Sequence, residues 1–166
     1  MKPSIVVFAT GGTFDKVYFD ANSQFHVGDP QAQPLLAEAN ITLEYRVESL
    51  IKKDSLDMTD EDRGLITAKV AAVDGSLVLI THGTDGMVAT AKALAASGGM
   101  DDKTIVLVGA MQPARMRYSD APFNLGFAVA AVQLLSPGIY IAMNGQIFSH
   151  DKVQKNWDAG RFEAIE

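Results

Sequence analysis

The chain has 166 residues, of which 48% are hydrophobic and 20% charged, and it contains no cysteine. Its formal net charge of −6 comes from scattered acidic side chains, so it lacks the basic surface that binds phosphate backbones, and no nucleic acid partner is expected. The missing cysteines exclude disulfides and thiolate chemistry, and the three histidines, at positions 26, 82 and 150, lack the spacing of a zinc site.

Length and apolar content predict one domain over residues 1–166. The first apolar stretch, residues 5–9, is too short for the core of a signal peptide. No segment approaches the roughly 20 apolar residues needed to cross a bilayer. We therefore expect a cytoplasmic protein with no membrane partner.

The first part of the chain predicts a strand, a hairpin, a helix and a second strand. The β-branched run Ile5–Ala9 forms the first strand and ends in Thr10-Gly-Gly-Thr13. Residues 14–28 contain two short runs around a polar turn, which predicts a hairpin or flap. A short helix is predicted over residues 30–39, and the alternating residues 41–47 predict the next strand.

The rest of the chain alternates between strands and helices. A polar loop covers residues 52–58, and Thr59 and Asp62 have the spacing of a helix-starting cap. The further predicted elements are helices over 60–73, 86–97 and 120–135, and strands over 77–80, 104–108 and 139–143. In the tail from Gln146 to Glu166 we predict only a loop over 148–152, followed by a short helix.

This βαβα alternation predicts a parallel, flavodoxin-like sheet with helices on both faces. In such sheets, ligands bind beyond the carboxyl ends of the strands, where the strand order reverses. The loops that follow the strands at 5–9 and 77–80 are therefore both expected at that edge of the sheet.

The loop Thr81-His-Gly-Thr-Asp85 holds more polar side chains than a connection needs. A strand-to-helix turn requires one glycine and one capping residue, and Gly83 and Asp85 meet those needs. Thr81, His82 and Thr84 are left over, which makes the loop a candidate site. We interpret His82 as structural, shaping the loop through hydrogen bonds.

The motifs of both loops resemble those of the bacterial-type L-asparaginases. The resemblance also covers Val108-Gly-Ala-Met-x-Pro113 and Ala121-Pro-Phe-Asn-Leu125, in the family's order. Thr10-Gly-Gly-Thr13 alone would more often be an ordinary glycine turn, but its pairing with Thr81-His-Gly-Thr-Asp85 is specific. Family members usually carry a second, carboxy-terminal domain, and this sequence ends where that domain would begin. It is therefore expected to be the short, single-domain form of the family.

The resemblance implies hydrolysis of L-asparagine to L-aspartate and ammonia through an acyl-threonine, with no cofactor and no metal. It implies a homodimer or homotetramer. The family's catalytic roles would fall on Thr13 as nucleophile, on Thr84, Asp85 and Lys155 as its proton relay, and on Tyr18 as the flap tyrosine. Substrate binding would fall on Ser55, for the α-carboxylate, and on Asp85 and Thr84.

Two departures from the family pattern concern recognition of the substrate amine. The residue after Ser55 is Leu56 where the two-domain enzymes often have glutamine, and a glutamate from their second domain has no counterpart. We therefore expect weaker substrate binding.

A different class of protein is also compatible with these loops. A non-catalytic flavodoxin-like domain could bind an amino acid or a nucleotide, or act as a sensor. The absence of a Gly-x-Gly-x-x-Gly fingerprint and of a P-loop lysine weakens the nucleotide version.

Overall fold

The computed structural model of the chain describes residues 4–166. Its helices are α1 (Ala32–Glu38), α2 (Asp60–Ala71), α3 (Met87–Ser97) and α4 (Ala121–Leu134). Its strands are β1 (Ser4–Gly11), β2 (Lys16–Phe19), β3 (Gln24–Val27), β4 (Glu44–Lys53), β5 (Leu77–Thr81), β6 (Thr104–Val108), β7 (Gly138–Met143), β8 (Gln146–Ser149), β9 (Val153–Asn156) and β10 (Arg161–Ala164). Short 3₁₀ turns cover Thr13–Asp15, Asp20–Asn22 and Ser55–Asp57.

The main sheet has the strand order β4-β1-β5-β6-β7-β8. The first five of these strands are parallel, and β8 is antiparallel to β7. In chain order the parallel strands stand second, first, third, fourth and fifth, which is the flavodoxin-like arrangement. The predicted fold is therefore confirmed, and the strand order reverses between β1 and β5.

Helices cover the sheet and build one continuous core. All residues of β6 are buried, as are all of β5 except Leu77, so both faces of the sheet are covered. The helices α2 and α3 pack against each other, while α4 packs across β5, β6 and β7. No helix among residues 4–166 is both long and apolar enough to cross a membrane.

The predicted flap is present as an antiparallel hairpin of β2 and β3. It leaves the main sheet directly after the first 3₁₀ turn, and its register pairs Lys16 with Val27 and Phe19 with Gln24. The predicted cap of α2 is also confirmed, because the side chains of Thr59 and Asp62 each accept the other's backbone N–H.

The strand predicted over 41–47 is displaced along the chain. It begins at Glu44 and runs to Lys53, because its pairing with β1 starts at Ser4 and continues past a bulge as far as Gly11. Lys52 and Lys53 therefore belong to an edge strand and not to the predicted polar loop.

The helix predicted in the tail is wrong. Asn144 and Gly145 both have positive φ, 55° and 68°, and this Asn-Gly pair turns β7 back into β8. The strands β9 and β10 then pair as a second hairpin, separate from the main sheet.

Candidate active site

The loops after β1 and β5 are in direct backbone contact where the strand order reverses. A Cβ on Gly12 would lie 2.5 Å from the backbone nitrogen of Gly83, and a Cβ on Gly83 would lie 2.5 Å from Ser55 Oγ. Neither position has room for a larger side chain. The predicted site residues Thr13 and Thr84 directly follow the two glycines of this contact.

Ser55 joins the same contact from the 3₁₀ turn after β4. Its buried hydroxyl accepts the backbone N–H of Gly86, with a distance of 2.9 Å. Asp54, on its amino-terminal side, accepts the N–H of Leu56 at 3.1 Å and pairs with Lys16 of the flap at 3.2 Å. The Ser55 turn is thereby tied to both α3 and the flap.

Lys155, Thr84 and Asp85 form one hydrogen-bonded cluster. The Lys155 ammonium donates to Thr84 Oγ1 at 2.8 Å and is ion-paired with Asp85. The side chain of Lys155 is 11% exposed and that of Asp85 is 22% exposed, so the pair is partly shielded from water. The ring of Trp157 covers the ammonium at 4.4 Å.

The interpretation of Asp85 as a helix cap is wrong. The residue at the N-cap of α3 is Gly86, which makes no side-chain capping bond. The carboxylate of Asp85 instead faces Lys155, which brings an opposite charge and a hydrogen-bond donor within reach.

Lys155 owes its position to the final hairpin, which sequence reasoning missed. On that hairpin Lys155 is paired with Phe162, whose side chain is buried. The Phe162 N–H donates to Asn144 Oδ1 at 2.7 Å, and this bond ties the hairpin to the β7–β8 turn. The Asn-Gly dipeptide was the available signal for that turn.

Thr13 and Tyr18, the two remaining predicted site residues, lie near one another in sequence but in different surroundings. Thr13 opens the 3₁₀ turn after Gly12, and its side chain is partly buried. Tyr18 is half exposed on the flap, where its ring meets Phe25 edge to face at 5.5 Å. Within residues 4–166 no hydrogen bond joins Tyr18 to Thr13, so its role stays a prediction.

His82 is buried beneath the loop. Its Nδ1 donates to the carbonyl of Gly83 at 2.8 Å, which leaves Nε2 to accept the Thr90 hydroxyl at 2.7 Å. Burial lowers the pKa of His82 to about 4, so the imidazole is neutral at physiological pH. These contacts agree with a structural role for His82.

Asp15 is a buried carboxyl in the same 3₁₀ turn as Thr13, and sequence reasoning did not single it out. It is 1% exposed, and its Oδ1 accepts the N–H of Gln31 at 2.9 Å. Burial raises the pKa of Asp15 to about 7, while hydrogen bonds from the Gln31 and Gly11 backbones act in the opposite direction.

The site offers hydroxyls, a carboxylate and an ammonium, which together can transfer protons and carry acyl chemistry. Across residues 4–166, no group of three or more histidine, aspartate or glutamate side chains is arranged to hold a metal.

The sequence of the chain is similar to those of known proteins of one family. The family model described as "Asparaginase, N-terminal" matches residues 4–166. The chain is 33% identical to a probable periplasmic L-asparaginase of Haemophilus influenzae, over 92% of the chain and 46% of that protein. It is 35% identical to a glutaminase-asparaginase of Acinetobacter glutaminasificans, over 93% of the chain and 50% of that protein.

Solved structures agree. The thermostable L-asparaginase from Thermococcus kodakarensis has a TM-score of 0.81 at 26% identity, over 98% of this chain and 51% of that one. A probable cytoplasmic L-asparaginase from Campylobacter jejuni has a TM-score of 0.78 at 30% identity, over 98% and 52%. The chain thus spans about half the length of the relatives it matches. It belongs to the asparaginase family, whose N-terminal domain it matches along nearly its whole length.

Proposed function

We propose that this chain hydrolyses L-asparagine to L-aspartate and ammonia through an acyl-threonine on Thr13. The observation that carries the proposal is the cluster of Lys155, Thr84 and Asp85, which is built beside the contact of Gly12 with Gly83. The names of the related proteins support the same substrate.

The reaction would proceed in two displacements. The Thr13 hydroxyl attacks the side-chain carboxamide, its proton passes through Thr84 and Lys155 to the leaving nitrogen, and ammonia departs. Water then attacks the acyl-threonine by the same proton route, which releases L-aspartate and restores the Thr13 hydroxyl. The backbone N–H of Thr84 would stabilise the oxyanion, a contribution typically worth about a hundredfold or more in rate.

Substrate binding would use the two other polar groups of the site. Ser55 Oγ accepts a hydrogen bond from Gly86, so its own proton remains available for the substrate α-carboxylate. Asp85 has a partly exposed carboxylate that would pair with the α-ammonium. Leu56, whose exposed fraction is 67%, adds no polar contact, in line with the weaker binding that we expect.

Ammonia release from L-asparagine tests the proposal. We expect turnover by the parent chain and its loss in Thr13→Val, because valine keeps the shape of threonine but removes the hydroxyl. Thr42→Val is the matched control, since Thr42 is exposed ahead of β4 and should leave turnover unchanged. No turnover in the parent, or equal turnover in the parent and Thr13→Val, would rule out the mechanism.

A binding measurement separates the enzyme from a sensor. Trp157 is the only tryptophan of the chain and lies over Lys155, so its fluorescence should change when L-aspartate occupies the site. Trp157→Phe supplies the blank. Saturable binding without any turnover would favour the non-catalytic alternative.

A further inference from the structure

Asp15 is a buried carboxyl group that the proposed reaction does not use. It closes the three-residue turn that begins with Thr13, and the flap starts at the next residue, Lys16. Buried carboxyls are costly, and they persist where the surrounding structure makes use of them.

The contacts of Asp15 connect both ends of the flap to the loop of Thr13. Its backbone carbonyl accepts the N–H of Gly28, where the chain leaves β3, at 2.9 Å. Its carboxylate accepts the N–H of Gln31 at 2.9 Å, and the backbone N–H of Gly11, the residue before Gly12, favours its ionised form. A single side chain therefore lies where β1, the Thr13 turn, the flap and the start of α1 converge.

We propose that Asp15 is a positioning residue for the reaction: its ionised carboxylate holds the Thr13 turn and the base of the flap through the N–H groups of Gly11 and Gln31. The inference rests on the proposed function and adds a residue that acts on Thr13 through the backbone.

Protonation would weaken this arrangement for a simple reason. Both backbone groups are donors, and an ionised carboxylate attracts donors more strongly than a neutral carboxyl does. A protonated carboxyl keeps an acceptor oxygen but loses the negative charge, so its attraction for both N–H groups is weaker. Since burial raises the pKa of Asp15 to about 7, the ionised fraction of Asp15 changes between about pH 6 and 8.

The neighbouring charges are mostly paired with other groups. Lys52 of β4 attracts the Asp15 carboxylate from a distance but is ion-paired with Asp29 at 2.6 Å. Lys16 of the flap is paired with Asp54, and Arg115, from the loop after β6, donates to the side chain of Gln31. Backbone hydrogen bonds are therefore the main contacts that stabilise the ionised form.

The kinetic test compares Asp15→Asn with the matched control Asp20→Asn at the exposed tip of the flap. For Asp15→Asn we expect kcat to fall by about tenfold to a hundredfold with a nearly unchanged KM, because the nucleophile is displaced while Ser55 and Asp85 stay in place. In the parent chain we expect kcat to rise as the pH passes through about 7, because the ionised form of Asp15 then becomes the major one. This rise should disappear in Asp15→Asn and persist in Asp20→Asn. An unchanged kcat and pH profile in Asp15→Asn would overturn the proposal.

Nuclear magnetic resonance of the unaltered chain gives a test that needs neither turnover nor a folded variant. The amide signals of Gly11, Thr13 and Gln31 should shift together as the pH passes through about 7, with the same midpoint. Constant shifts between pH 5 and 9 would overturn the role of Asp15 even in an active enzyme. A shared titration in a chain without turnover would instead refute the proposed function and leave the link between Asp15 and the turn standing.

Discussion

Lys155 is the residue on which the candidate site most depends. It lies 71 residues from Thr84 and 70 from Asp85 in sequence, and it makes polar contacts with both. Without its ammonium, the cluster would keep a carboxylate and a hydroxyl with no group to pass a proton between them.

We predict that Lys155→Met lowers kcat for L-asparagine by roughly 10²- to 10⁴-fold, the range typical of a lost proton-transfer group. Lys152→Met is the matched control, since Lys152 is exposed just before the same hairpin and should keep parental activity. Steady-state ammonia release measures both variants. A Lys155→Met variant within tenfold of the parent would contradict a relay through this lysine.

Some individual residues of the candidate site were predictable from the sequence. Thr84, Asp85 and Lys155 lie together as expected, while their catalytic roles stay predictions. Asp15 could not be found in this way, because an aspartate after a glycine turn is ordinarily a surface residue and burial depends on the whole fold. The contact of Trp157 with Lys155 likewise depends on side-chain packing that no local pattern encodes.

The loops at the carboxyl edge depend on glycines for their close approach. Gly12 has φ 73° and ψ −173°, a conformation that is almost confined to glycine, and it touches the Gly83 backbone. Gly64 in α2 provides the contrast, because a Cβ there would meet nothing within 4 Å.

We predict that Gly12→Ala lowers the free energy of unfolding by at least about 2 kcal/mol and abolishes turnover, through backbone strain and overlap with Gly83. Gly64→Ala should raise the free energy of unfolding by about 0.5–1 kcal/mol, because alanine favours the helix. Urea unfolding measures both. Equal stability of Gly12→Ala and the parent would show that the two loops can separate without cost.

Elements differed in how far the sequence revealed them. The central strands were predictable because a strand covered on both faces is a short, continuous apolar run, as in β5 and β6. The strands β8, β9 and β10 each span only four residues of mixed character, so their pairing is decided by the Asn144-Gly145 turn and by the burial of Phe162. The extent of β4 depended on its pairing with β1, which the sequence does not state.

Asp15 and His82 are buried titratable groups on neighbouring loops of the molecule, and their pKa shifts oppose each other. The pKa of Asp15 is raised to about 7, so its contribution to stability is present at low pH and is lost as the pH rises from about 4 to 7. The pKa of His82 is lowered to about 4, so its contribution is present at neutral pH and is lost as the pH falls from about 6.5 to 4.

We predict that the thermal midpoint of the parent chain changes little between about pH 4 and 6.5. As the pH falls, Asp15 takes up a proton in the folded state, which stabilises the fold, while His82 takes up a proton in the unfolded state, which destabilises it by a similar amount. Asp15→Asn should remove the stabilising proton uptake, so that the thermal midpoint of the variant falls as the pH is lowered through the same range. Scanning calorimetry at several pH values measures the difference between the two proteins. Parallel pH profiles of parent and variant would show that Asp15 titrates normally in the folded state.

The hairpin of β9 and β10 stands outside the six-stranded sheet, although it carries Lys155. Two-stranded hairpins are marginally stable on their own, and this one is fastened by the bond of Phe162 to Asn144 and by a few buried side chains. Its opening would withdraw the ammonium from Thr84 and Asp85 without breaking any strand pairing of the main sheet. We therefore expect heating to abolish the activity through this local opening, at a lower temperature than that of global unfolding.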